Sequence, residues 1–121
     1  MEVGRVTAPE HLTCTVVLVD DRTARVLVSG DLVHGNGDVL RDAISDLLAE
    51  HRPAHLHLDF TDLSLCDSTG LSVLLGARRA ADAVGAALHL EHRPAWLDRV
   101  LRRTGTFHHL VPDQVEDRRT G

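Results

Sequence analysis

LDFTDLSLCDSTGLSVLLGARRA, residues 58–80, changes its apolar period part-way along, and that change decides the fold. Leading into it, His55 to Phe60 alternates strictly, with Leu56, Leu58 and Phe60 on one side and His55, His57 and Asp59 on the other, the period-two pattern of a strand. From Leu71 to Val84 the apolar residues Leu71, Leu74, Ala77, Ala81 and Val84 recur at helical spacing, while Arg78, Arg79 and Asp82 face outward. A strand, a short loop over Thr61 to Cys66 and a helix are therefore predicted in succession.

At the junction stands Cys66-Asp67-Ser68-Thr69-Gly70-Leu71. The first amides of a helix have no partner within it, so this place favours negative charge. Asp67 or Ser68 is suited to capping those amides, and a phosphate on Ser68 would sit beside the same partial positive charge. Gly70 in the first turn costs up to about 1 kcal/mol relative to Ala in a helix interior, which predicts that another backbone or a partner approaches closely. Asp, Ser and Thr at a helix start are commonly no more than caps, and spacing alone does not separate the two readings.

Towards the N-terminus, Thr13 to Asp20 and Ala24 to Ser29 are short β-branched runs around the polar turn Asp21-Arg22-Thr23, an antiparallel hairpin. Gly30 to Gly37 carries three glycines, and Asn36 or Asp38 is placed to cap a helix from Asp38 to His51, whose apolar stripe is Val39, Leu40, Ala43, Ile44, Leu47 and Leu48. Ala87 to His92 alternates again, after a cap at Gly85. Pro94 opens a third helix at its first position, running to about Arg103 on a stripe of Leu97, Val100 and Leu101, with Gly105 as cap. Phe107 to Val111 reads as a last short strand.

The order strand, strand, helix, strand, helix, strand, helix, strand predicts one α/β domain over residues 13–111. Its sheet is mixed and mostly parallel, with an N-terminal hairpin and crossover helices. Residues 1–12 are expected to be an N-terminal extension and 112–121 a polar tail. The polar sides of two strands predict that the helices do not cover both faces of the sheet equally.

The chain has 121 residues and a formal charge of −5, so its overall field disfavours direct nucleic-acid binding. All thirteen basic residues are Arg, which with the abundant Ala suggests a GC-biased, bacterial coding sequence. Only Phe60, Phe107 and Trp96 are aromatic, so the core is aliphatic; Trp96 is expected to plug or cover it. Two cysteines, Cys14 and Cys66, far apart, fit free thiols in a reducing compartment. Nothing approaches the roughly 18 apolar residues of a membrane span, and no leader is evident, so no membrane partner and a cytoplasmic location are expected.

Over Leu58 to Ala80 the chain resembles the STAS-domain anti-sigma-factor antagonists, in which a strand and short loop lead into D-S-[ST]-G-L-G and a helix. The resemblance runs over roughly residues 13–111: Ser29-Gly30-Asp31-Leu32 is similar to the family's G-E-L-D turn, and Thr104-Gly105 to the T-G after its last long helix. It implies that Ser68 is phosphorylated by an anti-sigma factor of the histidine-kinase-like ATPase fold and reset by a serine phosphatase. Unmodified, the protein would capture the anti-sigma factor and free a sigma factor; phosphorylated, it would let go. Asp67, Thr69, Gly70, Leu71, Asp31 and Val33 would form the partner-binding surface, with no cofactor and no metal. The sequence departs from the pattern at Val33, where the family has Asp, at Asn36-Gly37, which replaces Thr-Ala, and at Ser72, which replaces Gly. A degenerate STAS binding module, not regulated by phosphorylation, is the alternative.

A small serine-dependent hydrolase is the rival of a different class. Leu65 to Gly70 lacks the first glycine of G-x-S-x-G, and no histidine is marked by position as a base, so the chain is read as no enzyme. His55 with His57, or His108 with His109, are pairs, short of the four ligands of a closed zinc site. Arg78 and Arg79 fit a solvated helix face or part of a partner surface.

Overall fold

A computed structural model gives the structure of the chain and describes residues 1–8 and 11–112. In chain order the elements are β1 (Glu2–Ala8), β2 (Leu12–Asp20), β3 (Thr23–Leu32), α1 (Gly37–His51), β4 (His55–Asp59), β5 (Leu63–Cys66), α2 (Ser68–Ala83), β6 (Ala87–Glu91), α3 (Ala95–Arg103) and α4 (Phe107–Leu110). Asp20 and Thr23 are paired across the turn of the β2–β3 hairpin, and Asp20 Oδ1 accepts from Arg22 N at 2.8 Å.

β3 organises the sheet, whose order is β1-β2-β3-β4-β6 with β5 also on β3. The first half of β3, Thr23 to Leu27, pairs parallel with β4; beyond it, Gly30 to Leu32 pairs parallel with β5. β4 pairs parallel with β6, and β1 and β2 complete the antiparallel side. The α/β class and the mixed sheet with its hairpin are as the sequence predicts.

Alternation sorts the two faces. Ala24, Leu56 and Leu88 lie in register, as do Val26, Leu58 and Leu90, and all six are buried. Onto them pack Leu40, Ile44 and Leu47 of α1, Leu71, Leu74 and Ala77 of α2, Leu97 and Leu101 of α3, and Phe107 and Leu110 of α4. Trp96 is partly buried against this cluster. The opposite face carries Arg25, His57 and His89 in register beside Val17 and the exposed Leu27, while the described helices pack on the first face, so the two faces are unequal as expected.

Five expectations are corrected. Within the expected extension, Glu2–Ala8 is an edge strand paired with β2, signalled only faintly by Val3, Val6 and Thr7 among polar neighbours. Leu63–Cys66, expected as loop, is a strand too short to show a period. Phe107–Leu110 is a helical turn: it buries Phe107 and Leu110 and exposes His108 and His109, whereas a strand would have turned His109 inward beside Phe107. Arg102 stacks over the Phe107 ring at 4.2 Å. Finally, Pro94 sits at the cap before α3, and Asn36 makes no side-chain cap bond to α1. Of the expected tail, residues 113–121 lie outside those described.

Phe60 is fully buried and Leu65 is 51% exposed. Phe60→Ala is expected to cost about 3–5 kcal/mol and Leu65→Ala within about 0.5 kcal/mol, read as the urea midpoint at constant m. Equal losses at the two positions would contradict this core.

Candidate functional site

β5 ends at Cys66, and α2 begins one residue past Asp67, so a strand end and a helix mouth meet at a single carboxylate. Asp67 Oδ1 accepts from Gly70 N at 2.9 Å, capping α2, and Oδ2 accepts from His34 N at 3.0 Å, holding the loop between β3 and α1. The bond from Gly70 N, with those from His34 and Thr69, outweighs the upward push of burial and holds the Asp67 carboxyl below the usual range.

Ser68 is exposed at the first turn, and no described residue hydrogen-bonds its Oγ. Its own carbonyl accepts from Ser72 Oγ at 3.1 Å. Thr69 is half-buried, while Gly70 and Leu71 are buried. The close approach that Gly70 predicts is made by the chain itself: a Cβ there would lie 2.3 Å from the Leu32 carbonyl oxygen. Gly70 and Leu71 thus set the position of Ser68 and offer little surface to a partner.

Pairing of β3 with β5 brings Asp31 opposite Leu65 and Leu32 opposite Cys66, so the Asp31 to Asn36 turn stands beside the mouth of α2. Asn36 is buried and ties that turn together, its Oδ1 accepting from Val33 N at 3.0 Å and its Nδ2 donating to Asp31 O at 2.8 Å. Asp31 and Val33 are both half-buried. The residues read from the sequence as the phosphorylation site and partner surface, Ser68 with Asp67, Thr69, Gly70, Leu71, Asp31 and Val33, therefore lie together at one end of the sheet. The role of Asn36 was missed because a backward-bonded loop amide looks, in sequence, like a helix cap.

Ser68 thus presents a reachable hydroxyl to which none of the described residues is hydrogen-bonded. Cys66 is buried, and burial followed by the nearby Asp67 charge pushes its thiol up to about 11, so it is held as a thiol.

Histidines gather elsewhere, on the open sheet face. The rings of His57 and His89 stack at 4.6 Å, His55 Nδ1 meets His89 Nε2 at 3.1 Å, and His57 Nδ1 lies 3.0 Å from Glu91 Oε2. His89 joins through strand register, which a reading of β4 alone does not reveal. Among the described residues no group of three or more His, Cys, Asp or Glu is arranged to hold a metal ion, and no helix is long and apolar enough to cross a membrane.

The family description "Mlab, STAS domain" matches residues 17–112. The chain belongs to the STAS-domain family. Among solved structures, this STAS domain is similar to an anti-sigma factor antagonist from Mycobacterium paratuberculosis, at 24% identity and a TM-score of 0.69, over 88% of each chain. It is also similar to the anti-sigma factor antagonist SpoIIAA in its unphosphorylated form, at 24% identity and a TM-score of 0.67, over 77% of this chain and 81% of that one. The phosphorylated form of SpoIIAA, described as a Bacillus cell fate determinant, matches at 24% identity and a TM-score of 0.63, over 77% and 84%. At these identities the likeness is one of fold.

Removing the cap by Asp67→Ala is expected to cost the STAS domain about 1 kcal/mol at neutral pH. Because the folded carboxyl titrates below its unfolded value of about 3.9, its ionic contribution is complete above that value and is lost as pH falls through the lowered folded one. Asp67→Asn keeps one capping oxygen but cannot ionise. The stability gap between wild type and Asp67→Asn, followed by urea unfolding from neutral to acid pH, should close on acidification; a constant gap would contradict the assignment.

Proposed function

We propose that this STAS domain is an anti-sigma-factor antagonist that binds an anti-sigma factor while Ser68 is unmodified and releases it once Ser68 is phosphorylated. The observation that carries the reading is the exposed, unbonded Ser68 hydroxyl at the mouth of α2. The likeness to SpoIIAA, known in unphosphorylated and phosphorylated forms, supports it. The kinase is the anti-sigma factor itself, of the histidine-kinase-like ATPase type. It moves the γ-phosphoryl of ATP to Ser68 Oγ and leaves ADP; a serine phosphatase then adds water to that phosphoryl and releases inorganic phosphate. The site acts by binding, without catalysis, in the cytoplasm where sigma factors work.

The electrostatics favour an off-switch. Phosphorylation adds about −1.5 to −2 charges, and the Gly70 amide at the mouth of α2 is already bonded to Asp67. The new charge therefore adds to the Asp67 carboxylate and faces whatever docks. Like charges across an interface cost several kcal/mol, and about 1.4 kcal/mol is already tenfold in affinity.

Val33, where the family carries a carboxylate, favours a second reading, a binding module without phosphorylation control. Incubation with candidate anti-sigma kinases and ATP, followed by intact mass and site mapping, is expected to add one phosphoryl, at Ser68, and none to Ser68→Ala. In binding assays Ser68→Ala should hold the kinase and Ser68→Asp should bind it at least about tenfold more weakly. Binding without modification by any kinase would support the second reading, and ester turnover abolished by Ser68→Ala would support a hydrolase.

A further inference from the structure

A groove of about 550 Å³ runs between α1 and α2 and reaches the mouth of α2. Gly37 and Arg41 on one side and Thr69, Val73, Gly76 and Ala80 on the other are among its lining residues. Two of the three helical glycines here are explained by the molecule's own packing: a Cβ on Gly37 would lie 2.7 Å from Val73 Cγ2, and one on Gly70 would lie 2.3 Å from Leu32 O. Gly76 is different. It stands in the middle of α2, where glycine is the costliest residue after proline, yet the nearest atom to a Cβ there is the Arg79 guanidinium at 3.7 Å, an ordinary contact. Among the described residues nothing requires the missing side chain, and the position is left open on the groove side.

The lips of the groove say what fits there. Arg79, on α2, is exposed and forms no ion pair with any described residue; Arg41, on α1, is bound only to the exposed Asp38 at 2.7 Å. With Arg41 and Arg79 against the single lining carboxylate of Asp38, the lips carry an excess of positive charge over a floor that includes Ile44, Val73 and Ala77, on a chain of net charge −5, and they complement a segment that is apolar on one side and acidic on its flanks. Two packed helices with small residues between them form the cradle for a third, since Gly76, Ala77 and Ala80 let a helix axis approach to about 8 Å.

We propose that this groove seats an amphipathic helix of the partner protein, its apolar stripe over Gly76 and its acidic residues against Arg41 and Arg79. The proposal rests on the reading above only for the partner's identity, and it deepens it. Thr69 and Ser72, which flank Ser68 on the first turns of α2, line the same groove, so a phosphate on Ser68 repels the acidic helix from one end.

The test uses the full chain and a synthetic probe, a helical peptide of about four turns with Leu along one stripe and Glu on both flanks. Its twin carries Lys for Glu. In 15N-labelled protein the Glu peptide is expected to shift the amides of Gly37, Arg41, Gly76 and Arg79 along a saturating curve, and the Lys peptide to leave them in place. Gly76→Leu, which has room for its side chain in the groove, should abolish the shifts while the melting temperature holds or rises. Gly76→Ala should raise it by roughly 4 °C or more, since alanine removes the cost of a mid-helix glycine. The proposal is overturned by shifts confined to the open sheet face, by equal response to both peptides, by undiminished binding to folded Gly76→Leu, or by self-association through these residues. A second arm measures any anti-sigma kinase that modifies Ser68: Gly76→Leu should weaken its binding at least about tenfold and leave the unbound fold intact. If no kinase modifies Ser68 but the Glu peptide binds as expected, the functional reading fails and the groove assignment stands; the reverse result sinks the groove alone.

Discussion

The Asp67 carboxylate is the constraint around which the functional end of the molecule is arranged. One oxygen closes the first turn of α2 and the other takes an amide from the turn after β3, so two segments distant in sequence share one anion. With both oxygens engaged, Asp67 does not compete for the hydroxyl next to it. Ser68 is left exposed, and the missing side chain of Gly70 lets the mouth of α2 lie close against the Leu32 carbonyl. The position of the hydroxyl is thereby set by backbone geometry, which responds little to what binds outside.

Much of this was legible in the sequence because period and punctuation agree over most of the chain. The alternation of His55 to Phe60 and the three-and-four spacing after Leu71 fix β4 and α2 with little ambiguity, and the junction between them contains the site. What escaped was short or long-range. β5 is four residues and has no period to detect, and β1 earns its place only by pairing with β2. The turn at Phe107 was misread because an apolar run of that length fits strand and helix alike; spacing of Phe107 and Leu110 by three, with two histidines between, was the usable sign.

The site shows the same division. That Asp67 or Ser68 caps α2 follows from residue types at a helix start; that Asp67 is the cap and Ser68 is exposed comes from the structure. That Gly70 answers to Leu32, that Asn36 bonds backward, and that the groove beside α2 has a glycine its own packing does not need, all depend on which strand lies next to which. Tertiary neighbours carry that information, and a linear reading has no access to them.

The division of β3 between two successive parallel neighbours has a consequence for synthesis on the ribosome. The β2–β3 hairpin closes over a two-residue turn and needs no later part of the chain, so it forms on the microsecond scale once it emerges. The far end of β3, however, waits for β5, and the mouth of α2 waits with it. Those later segments must first be synthesised, and translation adds only about 5–20 residues each second. A nascent chain therefore spends seconds with β2 and β3 made and β5 still to come, and a modifying enzyme that requires the assembled helix mouth encounters only chains that have already folded.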